Sequence, residues 1–241
     1  CKDGRIPGIL YPSGNLPNSA SIWRICLINS WLRRKGQKER GRRMNRNWIR
    51  KIQEALENYG VDIHFITGGT LTNLTFLSHA LRPYEAVISA DTGHINTHET
   101  GAIEASGHKV LSIPCTDGKL TADLIRPVLK QHENEHWVEP RLVYISLPTE
   151  LGTVYTKEEL EKLYQFCKRH NLYLYIDGAR LAMALAVEET QLTLKDLPDL
   201  CDAFYIGGTK NGAMFGEALI LVNDDLKDHF RFNMKQRGAI L

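Results

Sequence analysis

A chain of 241 residues, 43% of them apolar, is long enough for one large domain or two small ones and can pack a core. Its net charge of +2 hides an asymmetry: residues 1–50 carry 12 Lys and Arg against 2 Asp and Glu, a balance of +10, while the remaining 191 residues balance at −8. No stretch reaches the roughly 18 apolar residues of a membrane span. The five cysteines (Cys1, Cys26, Cys115, Cys167, Cys201) have no CxxC or Cys/His ligand spacing, which argues for reduced thiols in a cytoplasmic protein and against a disulfide framework or metal site.

Residues 1–47 fit no core element and are set apart as an atypical basic segment. RRKGQKERGRR (33–43) is too charged and too glycine-punctuated, and reads as solvated charge rather than a nucleic-acid arm. SASIWRICLINSWL (19–32) is interrupted by Arg24 and lacks a signal-peptide cleavage site. Residues 48–241 read as one domain. WIRKIQEALENYG has helical spacing, VDIHFIT is a strand, LTNLTFLSHAL a helix, EAVISA a strand, THETGAIEASG a helix and KVLSIP a strand. LTADLIRPVLKQH is a helix and RLVYISL an apolar strand. TKEELEKLYQFCKRHN opens with a capping box, Thr156 and Glu159, and carries a stripe of Leu160, Leu163 and Phe166. LYLYID is a strand, with a helix from about Gly178; AFYIG and EALILV are strands; LKDHFRFNMK is a helix. Apolar strands alternating with amphipathic helices predict an α/β domain, a mostly parallel sheet flanked by helices.

In such sheets ligands bind beyond the carboxyl ends of the strands. Four motifs fall there. TGGTLTN (67–73) follows a strand and opens a helix, so glycines and free N–H groups suit an anion, with Thr70 adding a hydroxyl; it is no P-loop. DTGHINTHE (91–99) brings His94 and Glu99 to the same mouth. YIDGAR (175–180) ends a strand in Asp177, with Arg180 a turn later to grip a carboxylate. FYIGGTKNGAMFG (204–216) puts Lys210 among small residues, where a desolvated amine becomes a nucleophile. Each alone has an ordinary alternative: a tight turn, a surface histidine, an N-cap, a solvated lysine. Together, a phosphate cradle, a ring-facing histidine, an aspartate for a ring nitrogen and a Schiff-base lysine are what pyridoxal phosphate requires.

From about residue 49 the chain resembles the threonine aldolase/β-eliminating lyase family, pyridoxal-phosphate enzymes of the aspartate aminotransferase fold (fold type I). GGTLTN, HINTHETGA, LPTELGTVYTKEEL, YIDGARLAMAL and GGTKNGAMFGEAL carry the resemblance, and GGTKNG followed by GEA is similar to the bacterial low-specificity L-threonine aldolases. The resemblance implies that residues 48–241 are the cofactor-binding large domain, with Lys210 as Schiff-base residue and Asp177 pairing with the pyridine nitrogen. It implies that His94 stacks on the ring, that Gly69 and Thr70 hold the phosphate with Thr149 and Thr209 nearby, and that Arg180 binds the substrate carboxylate. It implies retro-aldol cleavage of L-threonine or L-allo-threonine to glycine and acetaldehyde, with His94 or a bound water as general base, and a homo-oligomer. Another pyridoxal-phosphate lyase or an aminotransferase is the alternative within the chemistry. The family's usual N-terminal segments are not found in residues 1–47, and its small C-terminal domain is expected to be largely missing after Leu241. A catalytically impaired fragment is therefore the other alternative.

Overall fold

The computed structural model describes residues 47, 49–58, 60–213 and 216–240; all of the basic segment except Asn47 lies outside them. Helix α1 covers 49–56, and β1 (Asp62–Ile66) leads to α2 (Gly69–Ala80) and β2 (Glu85–Ala90). Next come α3 (His94–Thr97), α4 (Ala102–Ala105), β3 (Val110–Ile113), α5 (Ala122–Gln131) and β4 (Glu139–Ser146). The chain continues through α6 (Lys157–Arg169), β5 (Tyr173–Asp177), α7 (Leu181–Ala184), β6 (Ala203–Gly207), β7 (Glu217–Leu221) and α8 (Phe230–Gln236). Among the described residues no helix is long and apolar enough to cross a membrane.

The strands form one seven-stranded sheet in the order β1-β7-β6-β5-β4-β2-β3. The block β6-β5-β4-β2-β3 is parallel throughout, while β7 runs antiparallel to both β1 and β6. Both faces are covered. Along β4, β5 and β6, Val143, Ile145, Leu174, Ile176, Phe204 and Ile206 join one apolar core, and the alternate residues Leu142, Tyr144, Tyr175, Ala203 and Tyr205 join the other. That alternation is the period of two of a strand, with α2 packing Phe76 and Leu77 on the tyrosine side.

Local rules hold where the sequence states them. The Thr156 hydroxyl accepts from Glu159 N–H at 3.2 Å and the Glu159 carboxylate accepts from Thr156 N–H at 2.8 Å, closing the capping box of α6. Leu160, Leu163 and Phe166 of that helix are buried. The helix expected over 97–107 is instead broken. Thr100 and Gly101 take left-handed backbone (φ 52° and 68°), splitting the segment into α3 and α4, and the buried Glu99 side chain turns inward at the break. The helix expected from Gly178 is the short α7, beginning at Leu181.

Candidate active site

Strand periodicity assembles the centre of the site. Asp177, the last residue of β5, lies two positions after Tyr175 and so on the same face; Tyr144 pairs with Tyr175 across β4 and β5. Four donors converge on the buried Asp177 carboxylate. Oδ2 accepts from Tyr144 OH at 2.5 Å and Asn73 Nδ2 at 3.0 Å; Oδ1 accepts from Tyr205 OH and from Ala179 N–H at 3.0 Å. Burial and the Asp177 charge hold all three tyrosine hydroxyls, Tyr144, Tyr175 and Tyr205, well above their ordinary pKa, so they remain donors. Asn73, on α2, is saturated: its amide also donates to Glu99 Oε1 at 2.6 Å, and its carbonyl oxygen accepts from Tyr175 OH at 3.0 Å.

Glu99 carries the network to His94. The His94 Nδ1–H donates to Glu99 Oε1 at 2.9 Å, which holds the imidazole above its ordinary pKa; Asp177 adds to that shift and Lys210 opposes it. The other Glu99 oxygen, Oε2, is buried without a partner. His94 and Asp177, 83 positions apart in sequence, are thus joined through two side chains.

Lys210 sits just past the end of β6, in the short turn Thr209–Asn211. Two glycines make the position. A Cβ on Gly207 would lie 2.3 Å from the Ala179 carbonyl oxygen, and one on Gly178 would lie 1.9 Å from the Tyr205 carbonyl oxygen, so the Asp177 and Lys210 loops pass with their backbones in contact. Asn211 Nδ2 bridges them, donating to Ala179 O at 3.1 Å and Gly207 O at 2.8 Å. Below the turn, buried Glu217 accepts from Gly208 N–H at 2.6 Å and from Thr209 Oγ1 at 3.0 Å. Burial pushes the Glu217 carboxyl up to about 7, against the pull of these bonds. The expected desolvation of Lys210 is not found. Its side chain is exposed, because the turn lifts it out of the strand end, and it has no hydrogen-bond or ion-pair partner among the described residues.

The remaining sequence candidates divide. Gly69 and Thr70 form the first turn of α2, whose start at Gly68 has no side-chain cap. Arg180 is exposed at the start of α7, its side chain without a hydrogen-bond or ion-pair partner among the described residues. Thr149 is buried, but its hydroxyl pairs with Thr153 Oγ1 at 2.6 Å within its own loop; its neighbour Glu150 reaches the His94 backbone. The Thr209 hydroxyl is spent on Glu217. The site therefore also contains Asn73, Tyr144, Ser146, Glu150, Tyr205, Asn211 and Glu217, which the motif reading did not single out. Counting back by twos from Asp177 along β5 and across to β4 finds the tyrosine face; Glu150 and Glu217 fall inside the motifs LPTELGT and GEA, but nothing in those motifs assigns them a role.

Comparison with known proteins places the chain in a family. The beta-eliminating lyase family model matches residues 41–241. The low specificity L-threonine aldolase of Pseudomonas aeruginosa is 36% identical over 185 residues, covering 74% of this chain and 52% of that protein. The chain spans about half the length of the curated relatives it matches. A solved threonine aldolase from Leishmania major superposes with a TM-score of 0.79 at 57% identity, covering 80% of this chain and 56% of that one. A Listeria monocytogenes protein described as an L-allo-threonine aldolase shares the fold at 21% identity with a TM-score of 0.63. With the fold type I sheet and the family match over most of its length, the chain belongs to the beta-eliminating lyase family.

Proposed function

We propose that this chain carries the cofactor-binding part of a pyridoxal-phosphate lyase that cleaves the Cα–Cβ bond of L-threonine or L-allo-threonine, releasing glycine and acetaldehyde. The observation that carries the reading is the convergence, at adjacent ends of β5 and β6, of a buried aspartate without a cation and an exposed lysine whose side chain has no partner among the described residues. Relatives named low specificity L-threonine aldolases support the choice of substrate.

The residues fit the cofactor on their own chemistry. Asp177 is a fixed carboxylate for a cationic ring nitrogen. The uncapped first turn of α2 at Gly69 and Thr70 offers N–H groups to a phosphate. The Thr209 turn would close the other side, and Thr149 would act through the loop that it anchors. Pyridoxal phosphate, when bound, supplies an electron sink for the pair left at Cα when a bond to that carbon breaks.

The chain's own residues do the rest. Lys210, the exposed amine at the end of β6, would be the residue that holds the cofactor covalently. Arg180 holds the substrate carboxylate in bidentate fashion. Glu99 fixes the His94 proton on Nδ1 and favours the imidazolium, and that ring would lie against the cofactor. A homo-oligomer is part of the reading, by analogy with enzymes of this fold. The test is product analysis of the loaded protein with L-threonine. Glycine and acetaldehyde in equal amounts are expected. Ammonia with a 2-oxo acid would mean β-elimination, and a 2-oxo acid with transfer of the amino group would mean transamination; either replaces the aldolase reading.

A further inference from the structure

His94 is gripped by two carboxylates that are not equivalent. Glu99 holds its ring; Glu150 holds its backbone, Oε1 accepting from His94 N–H at 3.0 Å and from Ser146 Oγ at 2.6 Å. Ser146 Oγ lies 3.3 Å from Tyr144 OH, which donates to Asp177. Hydrogen bonds run from Ser146 through Glu150, His94, Glu99, Asn73 and Asp177 to Tyr144, and the contact between the Ser146 and Tyr144 hydroxyls closes the ring without a further bond, since each has already given its one proton. Glu99 is sealed inside this ring. Glu150 is half-buried on its rim, with one oxygen aimed by two donors and Oε2 taking no hydrogen bond from another of the described residues.

The groups facing Glu150 are His94 of α3, Asp177 of β5 and the hydroxyls of Ser146 and Tyr144 on β4, while Glu99 and Lys210 act in turn on the His94 charge. Burial raises the Glu150 carboxyl above its ordinary pKa; the Ser146 bond opposes this, Asp177 adds to it, and His94 opposes it. His94 is biased towards its cation, which has no lone pair to accept a proton. Neighbouring groups tuned in this manner mark the acid and the base of a site.

We propose that Glu150 is a further catalytic residue of this site, the base that takes the proton from the β-hydroxyl of a β-hydroxy-α-amino acid beside His94. The proposal rests on the lyase reading above. In the step, the O–H pair becomes the second bond of the aldehyde carbonyl while the Cα–Cβ bond breaks. The pair from that bond stays on the glycine side and ends in a new Cα–H bond, so one proton leaves oxygen, one reaches carbon, and no oxidant or reductant is needed.

Glu150→Gln tests it, since the amide oxygen keeps an acceptor for His94 and Ser146. Three readouts are compared in the pyridoxal-phosphate-loaded and unloaded protein. Cleavage of L-threonine is expected to fall about 100- to 1000-fold in kcat, with loss of the acid limb of its pH profile. Exchange of the glycine α-proton with deuterated solvent needs no β-hydroxyl base and is expected to stay within about threefold of wild type. In unloaded protein labelled at Glu carboxyl carbons, the resonance missing from Glu150→Gln is expected to titrate above the ordinary carboxyl range. Cleavage within about threefold of wild type overturns the proposal. So does a parallel loss of glycine exchange, which would make Glu150 only a support for His94, or an ordinary titration of that resonance. A wild-type protein that takes up the cofactor yet neither cleaves threonine nor exchanges glycine defeats the lyase reading itself, and the Glu150 assignment with it.

Discussion

Asp177 ends β5 and Asp202 sits beside the start of that strand, just before β6; both are buried, and their partners differ in kind. Asp202 ties backbone together. Its Oδ2 accepts from Leu174 N–H at 2.9 Å, its Oδ1 accepts from Asn223 Nδ2 at 2.7 Å and Lys168 Nζ at 3.1 Å, and its main chain bonds Leu174, Val222 and Asn223. A cation offsets its charge. Asp177 is held mostly by side chains, from α2, β4 and β6, and no cation pairs with it among the described residues. One aspartate completes the fold. The other is a buried charge fixed in place and left to be matched by something else, which is the mark of a binding site rather than of a staple.

Substitution separates the two. Asp202→Ala strands Leu174 N–H, Asn223 and Lys168, and an unfolding titration is expected to register a loss of about 3 kcal/mol or more. A loss below about 1 kcal/mol would erase the distinction. The next effect in size belongs to Glu217, on the site side. Its carboxyl rises from 4.5 to about 7 on folding, so the unfolded chain ionises first. Native stability should therefore fall as pH climbs from 4.5 to about 7 and level off above, by on the order of 3 kcal/mol across the interval. Glu217→Gln is expected to flatten that slope, because an amide can still pair with Gly208 and Thr209; an unchanged slope would show that Glu217 titrates normally. Asp177→Asn puts an amide NH2 where a carboxylate oxygen accepts two donors, so it is expected to cost about 1–2 kcal/mol in the unloaded protein while weakening cofactor retention severely. A loss as large as that of Asp202→Ala would make Asp177 structural. Smallest is Tyr205→Phe, which deletes one of four donors to Asp177 and is expected to cost about 1 kcal/mol with the fold intact.

The same contrast explains what the sequence disclosed. DGAR and GGTKNG are legible because each needs glycine where two backbones meet, and glycine punctuates an apolar run visibly. The layering of strands and helices followed from periodicity. The direction of β7 did not: a strand buried on both faces reads EALILV whether it runs parallel or antiparallel. Tyr144 and Tyr205 were hidden in the same way, as members of apolar runs whose hydroxyls matter only once Asp177 is placed between them. Glu99 was visible but without a role, because its inward turn depends on the left-handed pair at Thr100 and Gly101. Glu150 and Glu217 look like ordinary surface acids; only the tertiary arrangement buries them.

The central claim is that Lys210 and Asp177 form one cofactor site, and the most direct measurement is the visible absorption spectrum of the purified chain with pyridoxal phosphate, beside Lys210→Ala and after borohydride reduction. A Schiff-base band is expected in the wild type, lost on reduction and absent from the variant. A folded wild type without the band, or a variant that keeps it, would contradict the account and favour a chain that retains the fold but not the chemistry.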